Sequence, residues 1–126
     1  MANTYGDAIG KTPYCCRTKL ETITIHDSNS LDHRFGGGNK NFLIHKAGGD
    51  DYIRNGGGML EAAFMHEGVH TSLDPDYLLS PEYQGAIKAD GGNFVSVYAR
   101  DFPAREDLAE TFVPWFITRY RKDKIS

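Results

Sequence analysis

The pattern of apolar and polar positions, broken by clusters of glycine, divides the chain into short elements. Residues 20–26 (LETITIH) alternate between apolar and polar side chains and include β-branched residues, which predicts a strand. Residues 41–46 (NFLIHK) lie between two glycine clusters and predict a second strand that could pair with the first. Residues 59–71 are rich in helix formers and follow three glycines, so they predict a helix in spite of Gly68.

The second half of the chain carries residues that begin and end helices. The sequence Ser-Pro-Glu at 80–82 supplies a capping serine, a proline at the first helical position and an acid in the first turn. It predicts a helix that ends before the glycine pair at 91–92. Residues 94–98 (FVSVY) are predicted to be extended. Strands followed by helices predict an α+β fold rather than a parallel sheet.

Pro103 predicts the beginning of the last helix, over residues 104–121. Pro114 lies inside this helix and should kink it, because proline cannot bond to the carbonyl group four residues earlier. The apolar residues of the helix form one continuous arc, and Glu106 and Glu110 fall inside that arc. Two carboxylates one turn apart on a core-facing stripe repel each other and are unfavourable to bury. If one carboxylate bound a divalent cation and the other lay beside a metal-bound histidine, both the repulsion and the cost of burial would be offset.

Composition narrows the class of protein. The 126 residues are enough for one domain, 1–126, with a core of its own. The net charge of −3 argues against a nucleic-acid partner, whose phosphates require clustered Lys and Arg. No apolar run approaches the roughly 20 residues of a membrane span, and the polar first residues predict no uncleaved signal peptide. Cys15 and Cys16 are adjacent, so they predict no ordinary disulfide with each other.

Residues 66–70 read His-Glu-Gly-Val-His, the motif H-E-x-x-H. Four residues advance a helix by slightly more than one turn, so His66 and His70 lie on one side, about 40° apart. They can hold one metal ion, while Glu67, about 100° round the helix from His66, can reach a water molecule on that ion. The other residues of the helix are apolar nearly all round, which predicts burial. Buried histidines must be metal-bound or paired, and a hydrogen-bonded core pair is the alternative.

A catalytic zinc ion usually has three protein ligands and one open position, and the sequence offers two candidates for the third ligand. One candidate is Asp76, at the last ligand position of the metzincin pattern H-E-x-x-H-x-x-G-x-x-H. Leu73, however, stands at the glycine position of that pattern, and no methionine follows His70 to form the methionine turn of that clan. The other candidate is Glu106 or its neighbour Glu110.

These features together resemble a known family. H-E-x-x-H, followed by VSVYAR at 95–100 and EDLAETF at 106–112, is similar to the glutamate zincins (gluzincins), including the catalytic domain of anthrax lethal factor and related zinc peptidases. The resemblance extends over residues 59–116, about half of the chain. It implies a small zincin-like domain, with a short N-terminal sheet, an active-site helix and a C-terminal glutamate helix.

The resemblance also implies roles for individual residues. His66, His70 and Glu106 would be zinc ligands, and Glu67 would be the general base that activates a zinc-bound water. The remaining implied roles belong to Glu110, which would orient a zinc-bound histidine, to Tyr98, whose hydroxyl would steady the oxyanion, and to residues 41–46. This last segment would be the edge strand on which an extended peptide lies, with contacts from Asn41, Phe42, Leu43 and Ile44.

The sequence therefore predicts a zinc-dependent endopeptidase with Zn²⁺ as cofactor and a peptide or protein as substrate. Three alternatives stay open: a non-catalytic, zinc-stabilised binding module, a metzincin-like peptidase with Asp76 as third ligand, and a metal-free globular protein. Peptidases of this type are often exported. His26, His33 and His45 match no part of the motif and are expected to be surface or hydrogen-bonded residues.

Overall fold

The computed structural model describes residues 2–27 and 35–124. In chain order its helices and strands are α1 (Ala2–Gly10), β1 (Thr22–His26), β2 (Phe35–Gly38), β3 (Asn41–His45), α2 (Lys46–Asn55), α3 (Met59–Gly68), α4 (Asp74–Tyr77), α5 (Pro81–Asp90), α6 (Val97–Asp101) and α7 (Pro103–Tyr120). A π-helical segment, Val69–Leu73, joins α3 to α4, and 3₁₀ turns lie at Tyr14–Cys16 and Lys122–Lys124. The fold is α+β, as the sequence predicts. Across the described ranges, no helix is both long and apolar enough to cross a membrane.

The described residues form a sheet of three strands in the order β1-β3-β2. β1 and β3 pair as predicted, but in parallel, with Thr22 opposite Asn41. β2 runs antiparallel to β3, with Phe35 opposite Ile44. The expectation that the sheet has no parallel strands is therefore wrong for β1 and β3. The glycine run at 36–38, one of the clusters that divide the chain, forms part of this edge strand.

β3 is the central strand, so the prediction that residues 41–46 form a substrate-binding edge is wrong. Phe42 and Ile44 are 1% and 0% exposed, because alternate side chains of a central strand point into the core. Asn41 and Leu43 are half-buried and lie opposite β1 on one side and β2 on the other. The backbone groups of β3 are shared between two neighbours, so the strand has no free edge for a peptide.

Helix α3 lies between two apolar cores, which is the physical reason for its all-round apolar pattern. Leu60 and Phe64 pack in the first core, with α1 and β3, and Phe64 stacks on Phe42 at a ring distance of 5.6 Å. Met65 and, just beyond α3, Val69 pack in the second core, against α7. The predicted burial of this helix is thus confirmed, and His66 and Glu67 near its end face a cleft.

Three local predictions need correction or completion. The helix predicted over 59–71 changes from α to π geometry after Gly68. The predicted extended segment 94–98 instead ends in α6, because Ser96 caps a helix by accepting a hydrogen bond from the N–H of Ala99 at 3.0 Å. Helices α1 and α2 were not predicted, and in α2 the pair Gly48-Gly49 suggested a turn. The helices that begin at Pro81 and Pro103 are confirmed, and α7 continues through Pro114.

Gly68 provides a direct test of how closely α3 is packed. A Cβ atom there would lie 2.7 Å from Cβ of Cys16 and closer still to its carbonyl oxygen. Although the Gly68 backbone is helical, with φ −64°, we expect Gly68→Ala to lower the free energy of unfolding by about 1–3 kcal/mol through overpacking. The control is Gly85→Ala in α5, where nothing lies within 4 Å. It should raise the free energy of unfolding by up to about 1 kcal/mol. Urea denaturation measures both, and equal effects at the two sites would contradict this packing.

Candidate metal centre

Two distant segments of chain bring three side chains to one point. Nε2 of His66 and Nε2 of His70 lie 3.3 Å apart at the end of α3 and the start of the π-helical segment. Oε2 of Glu106, from the first turns of α7, lies 3.2 Å from Nε2 of His66 and 2.9 Å from Nε2 of His70. Glu106 is only 5% exposed. The structure therefore brings together the two histidines of the motif and the glutamate singled out by its core-facing position.

This triangle of atoms has the dimensions of a tetrahedral metal site. Bonds of about 2.0–2.1 Å at tetrahedral angles place ligand atoms about 3.3 Å apart. Hydrogen bonds account less well for the same triangle. Each ring nitrogen carries at most one hydrogen, and if both donate to Oε2 of Glu106, the contact between the nitrogens joins two donors. A cation between the three atoms engages all three lone pairs at once.

Glu67 lies beside the triangle. His66, Glu67 and His70 each offer a ligand atom, and these three atoms lie within 4.8 Å of one another, so this group could hold a metal ion. Oε2 of Glu106, at 3.2 Å and 2.9 Å from the two imidazole nitrogens, could serve as a ligand in the same group. Burial raises the pKa of Glu67 to about 7, against the positive charge of His70 and with help from the negative charge of Glu106. A carboxylate with a pKa near 7 can both accept and release a proton at neutral pH.

The second ring nitrogen of each histidine faces a carboxylate. Nδ1 of His70 lies 2.8 Å from Oδ2 of Asp74, at the start of α4. Nδ1 of His66 lies 3.5 Å from Oε1 of Glu110, and Ser96 Oγ donates to Oε2 of Glu110 at 3.0 Å. Glu110 thus stands where the sequence placed it, behind a histidine. Asp74 was missed, although an acid four residues after His70 on a continuing helix was a usable signal.

The charges of the site are balanced among these groups. Burial lowers the pKa of His70, but its hydrogen bond to Asp74 and the charge of Glu106 outweigh burial and bring the pKa to about 9. The pKa of His66 is lowered by burial and by the positive charge of His70. Burial alone would raise the pKa of Glu106, but the charge of His70 and hydrogen bonds from Tyr98 and Arg105 lower it. The protein alone therefore keeps one positive charge between carboxylates, in a place suited to a cation.

A cleft of about 650 Å³ opens onto the three side chains. It is lined by β2, by His66, Glu67 and His70, and by Tyr98, Arg105 and Glu106. Tyr98 therefore lies in the cleft with the motif, as the resemblance implies. None of the residues Asn41, Phe42, Leu43 and Ile44 lines it, so the edge of the sheet beside the site belongs to β2 and not to β3.

The glycines of β2 allow the strand to lie directly on α3. A Cβ atom at Gly37 would meet the backbone of Glu67, with the carbonyl carbon only 2.9 Å away. The N–H of Gly38 donates to Oγ1 of Thr71 at 3.0 Å, and Thr71 donates in turn to the carbonyl oxygen of Glu67 at 2.9 Å. The run of three glycines was the signal for this close approach, and its meaning depends on a contact far along the chain.

Arg105 is a further cleft residue that the sequence reasoning missed. Its Nε donates to Oε1 of Glu106 at 3.0 Å, and its guanidinium lies 5.5 Å from the ring centre of Phe102. It also hydrogen-bonds with the side chain of Tyr98. The sequence could have pointed to Arg105 through its position, because it directly precedes the predicted ligand Glu106 and lies on the polar side of the helix.

Other candidate residues lie outside the site. Asp76 pairs with Lys19, its side chain is 54% exposed and it does not line the cleft, so the geometry favours Glu106 over Asp76 as the third ligand. His26 and His45 stack edge to face across β1 and β3, with ring centres 5.2 Å apart. His33 lies outside the described residues. Cys15 is exposed and Cys16 buried, and both are free thiols.

Comparison of the chain with protein-family models, with curated proteins and with solved structures finds no match. The functional assignment therefore depends on the geometry of the site and on the chemistry of its side chains.

Proposed function

We propose that the chain is a zinc-dependent endopeptidase with a small zincin-like fold. The observation that carries the proposal is the convergence of Nε2 of His66, Nε2 of His70 and Oε2 of Glu106 within 3.3 Å of one another. Two imidazoles and one carboxylate with an open side are typical of catalytic zinc, whereas structural zinc sites are closed by four protein ligands. The cleft lies on that open side.

In this proposal Glu67 performs the proton transfers. Zinc, when bound, supplies Lewis acidity toward a water molecule and toward the scissile carbonyl group. The Glu67 carboxylate accepts the proton of the attacking water and later delivers it to the leaving amine. The pKa of Glu67, raised to about 7 by burial, supports both halves of this role.

Tyr98 and Arg105 are suited to stabilise the negative charge that develops on the carbonyl oxygen. Both side chains line the cleft beside Glu106, and each is a hydrogen-bond donor. The guanidinium contacts Oε1 of Glu106 and the ring of Phe102, and its side chain is 70% exposed, so it can turn toward an oxyanion in the cleft. We therefore assign the oxyanion donors to this pair rather than to Tyr98 alone.

β2 is the strand best placed to bind an extended peptide. It is the edge of the sheet on the cleft side, and its three glycines line the cleft without side chains of their own. The N–H of Gly38 points away from β3, toward Thr71. In a strand, the backbone N–H and C=O groups of successive residues point alternately to one neighbouring strand and to the other. The backbone of Gly36 therefore faces the same outer side, where a substrate strand could pair with it.

Metal removal tests the proposal. The purified chain should contain one zinc ion and should cleave members of a mixed peptide library. Treatment with a chelator should abolish cleavage, and added zinc should restore it. Bound zinc without any cleavage would instead support a non-catalytic, zinc-stabilised module, and such a module should also melt at a lower temperature with chelator. A chain that binds no zinc at all would indicate a hydrogen-bonded histidine core and would overturn the proposal.

A further inference from the structure

We infer that Asp74 is a positioning residue for the metal centre: its carboxylate fixes the ring of His70 so that Nε2 faces the metal. The inference rests on the metal site proposed above and extends it to a residue outside the H-E-x-x-H motif and outside the glutamate helix.

The contact between His70 and Asp74 is short and sheltered. Nδ1 of His70 lies 2.8 Å from Oδ2 of Asp74, and the two side chains are 12% and 14% exposed. A neutral imidazole carries one hydrogen, and a carboxylate on Nδ1 holds that hydrogen there. A metal ion displaces the second hydrogen of the charged ring, so the lone pair that binds the metal is on Nε2, the atom that lies 3.3 Å from Nε2 of His66 and 2.9 Å from Glu106. A metal-binding histidine is commonly oriented in this way by a carboxylate on its other nitrogen.

The π-helical segment determines where Asp74 lies. The N–H of Asp74 bonds to the carbonyl oxygen of Val69, five residues earlier, which is the hydrogen bond of a π turn. His70 lies inside this wider turn, so the carboxylate at its end reaches the imidazole. π-Helical turns are often found at functional sites, because they shift one stretch of helix relative to the next.

Two buried hydroxyl groups hold the π-helical segment in place. Thr71 and Ser72 are each 2% exposed. Thr71 bonds to β2 and to α3, and Ser72 Oγ accepts a hydrogen bond from the N–H of Lys19 at 3.2 Å. Asp74 follows directly on this anchored stretch, so its position is set by the fold as well as by its contact with His70.

The other carboxylate oxygen of Asp74 also points to a role at His70. Within the part of the chain that the structure describes, Oδ1 is buried and has no hydrogen-bond partner, which is unfavourable for a carboxylate. The engaged oxygen, Oδ2, contacts His70. The contact with His70 is therefore the interaction that offsets the burial of this carboxylate.

Zinc affinity tests the inference, measured by competition with a chromophoric chelator on the full chain. Asp74→Ala should weaken zinc binding about 10–100-fold relative to wild type, as loss of an outer carboxylate does at other zinc sites. Asp74→Asn keeps an acceptor oxygen but loses the charge, so its loss should be smaller, about 3–10-fold. The control is Asp76→Asn on the same short helix, whose exposed carboxylate pairs with Lys19 and should leave affinity unchanged.

Cobalt supplies a second measurement, because its visible spectrum reports ligand geometry. The Asp74→Ala protein loaded with cobalt should show an altered spectrum, whereas Asp76→Asn should not. Circular dichroism of the metal-free proteins checks that each variant is folded, and Asp74→Asn provides the test if the alanine variant is not. Zinc affinity within twofold of wild type in the folded Asp74 variants would overturn the inference and leave the metal site standing. Wild-type protein that binds no zinc would overturn the metal site itself.

Discussion

Replacing Glu67 by Gln is expected to lower kcat/KM for peptide cleavage by about 10²–10⁴-fold, the usual contribution of a general base. Zinc binding should persist, because in the proposed site His66, His70 and Glu106 supply the three ligand atoms. Glutamine has the shape of glutamate but cannot accept the proton of the attacking water. The variant therefore separates metal binding from catalysis.

The matched control for this substitution lies on the same helix. Glu61 is in the first turn of α3 and lines a different groove, away from the cleft. Glu61→Gln should leave both cleavage and zinc content unchanged. Steady-state kinetics with elemental analysis of each variant is the required measurement. Full turnover by Glu67→Gln would remove Glu67 from the mechanism, and loss of zinc in that variant would make Glu67 a ligand.

Replacing Glu106 by Ala is expected to have the largest effect on metal binding. The substitution removes the oxygen that lies 3.2 Å and 2.9 Å from the two imidazole nitrogens. Since loss of an outer partner weakens metal binding about 10–100-fold, loss of a direct ligand should exceed that range. It also removes one of the two carboxylates that contact the buried charge of His70, so the metal-free protein should be less stable.

Glu110→Gln is the control for this second prediction. Glu110 lies one turn further along α7, and its nearer oxygen is 3.5 Å from Nδ1 of His66, on the side of the ring away from the cleft. We expect this variant to keep zinc with at most about a tenfold loss of affinity. Isothermal titration of metal-free protein with zinc compares the two variants. Tight zinc binding by Glu106→Ala together with its loss in Glu110→Gln would reverse the two assignments.

The sequence predicted much of the site because the relevant signals are local. H-E-x-x-H sets the spacing of His66 and His70 on a helix. The apolar residues of α7 form one continuous arc, and Glu106 falls inside it. Both inferences need only helical periodicity, and the structure confirms that the three side chains meet. Their roles in zinc binding and catalysis stay predictions.

The signals that failed depend on contacts between distant segments. The glycines of β2 look like a turn until Gly37 is seen against the backbone of Glu67. Asp74 looks like a surface acid until the π turn brings it to His70. The resemblance implies that β3 is an edge strand, and nothing in the sequence shows that a glycine-rich segment pairs on its other side. Periodicity along one segment carries no information about such partners.

The most direct test of the central claim is a crystal structure of the zinc-loaded protein with anomalous scattering recorded at the zinc absorption edge. The account predicts one zinc ion about 2.0–2.2 Å from Nε2 of His66, Nε2 of His70 and Oε2 of Glu106, with its fourth position open to the cleft. Zinc bound elsewhere, or enclosed by four protein ligands, would contradict it.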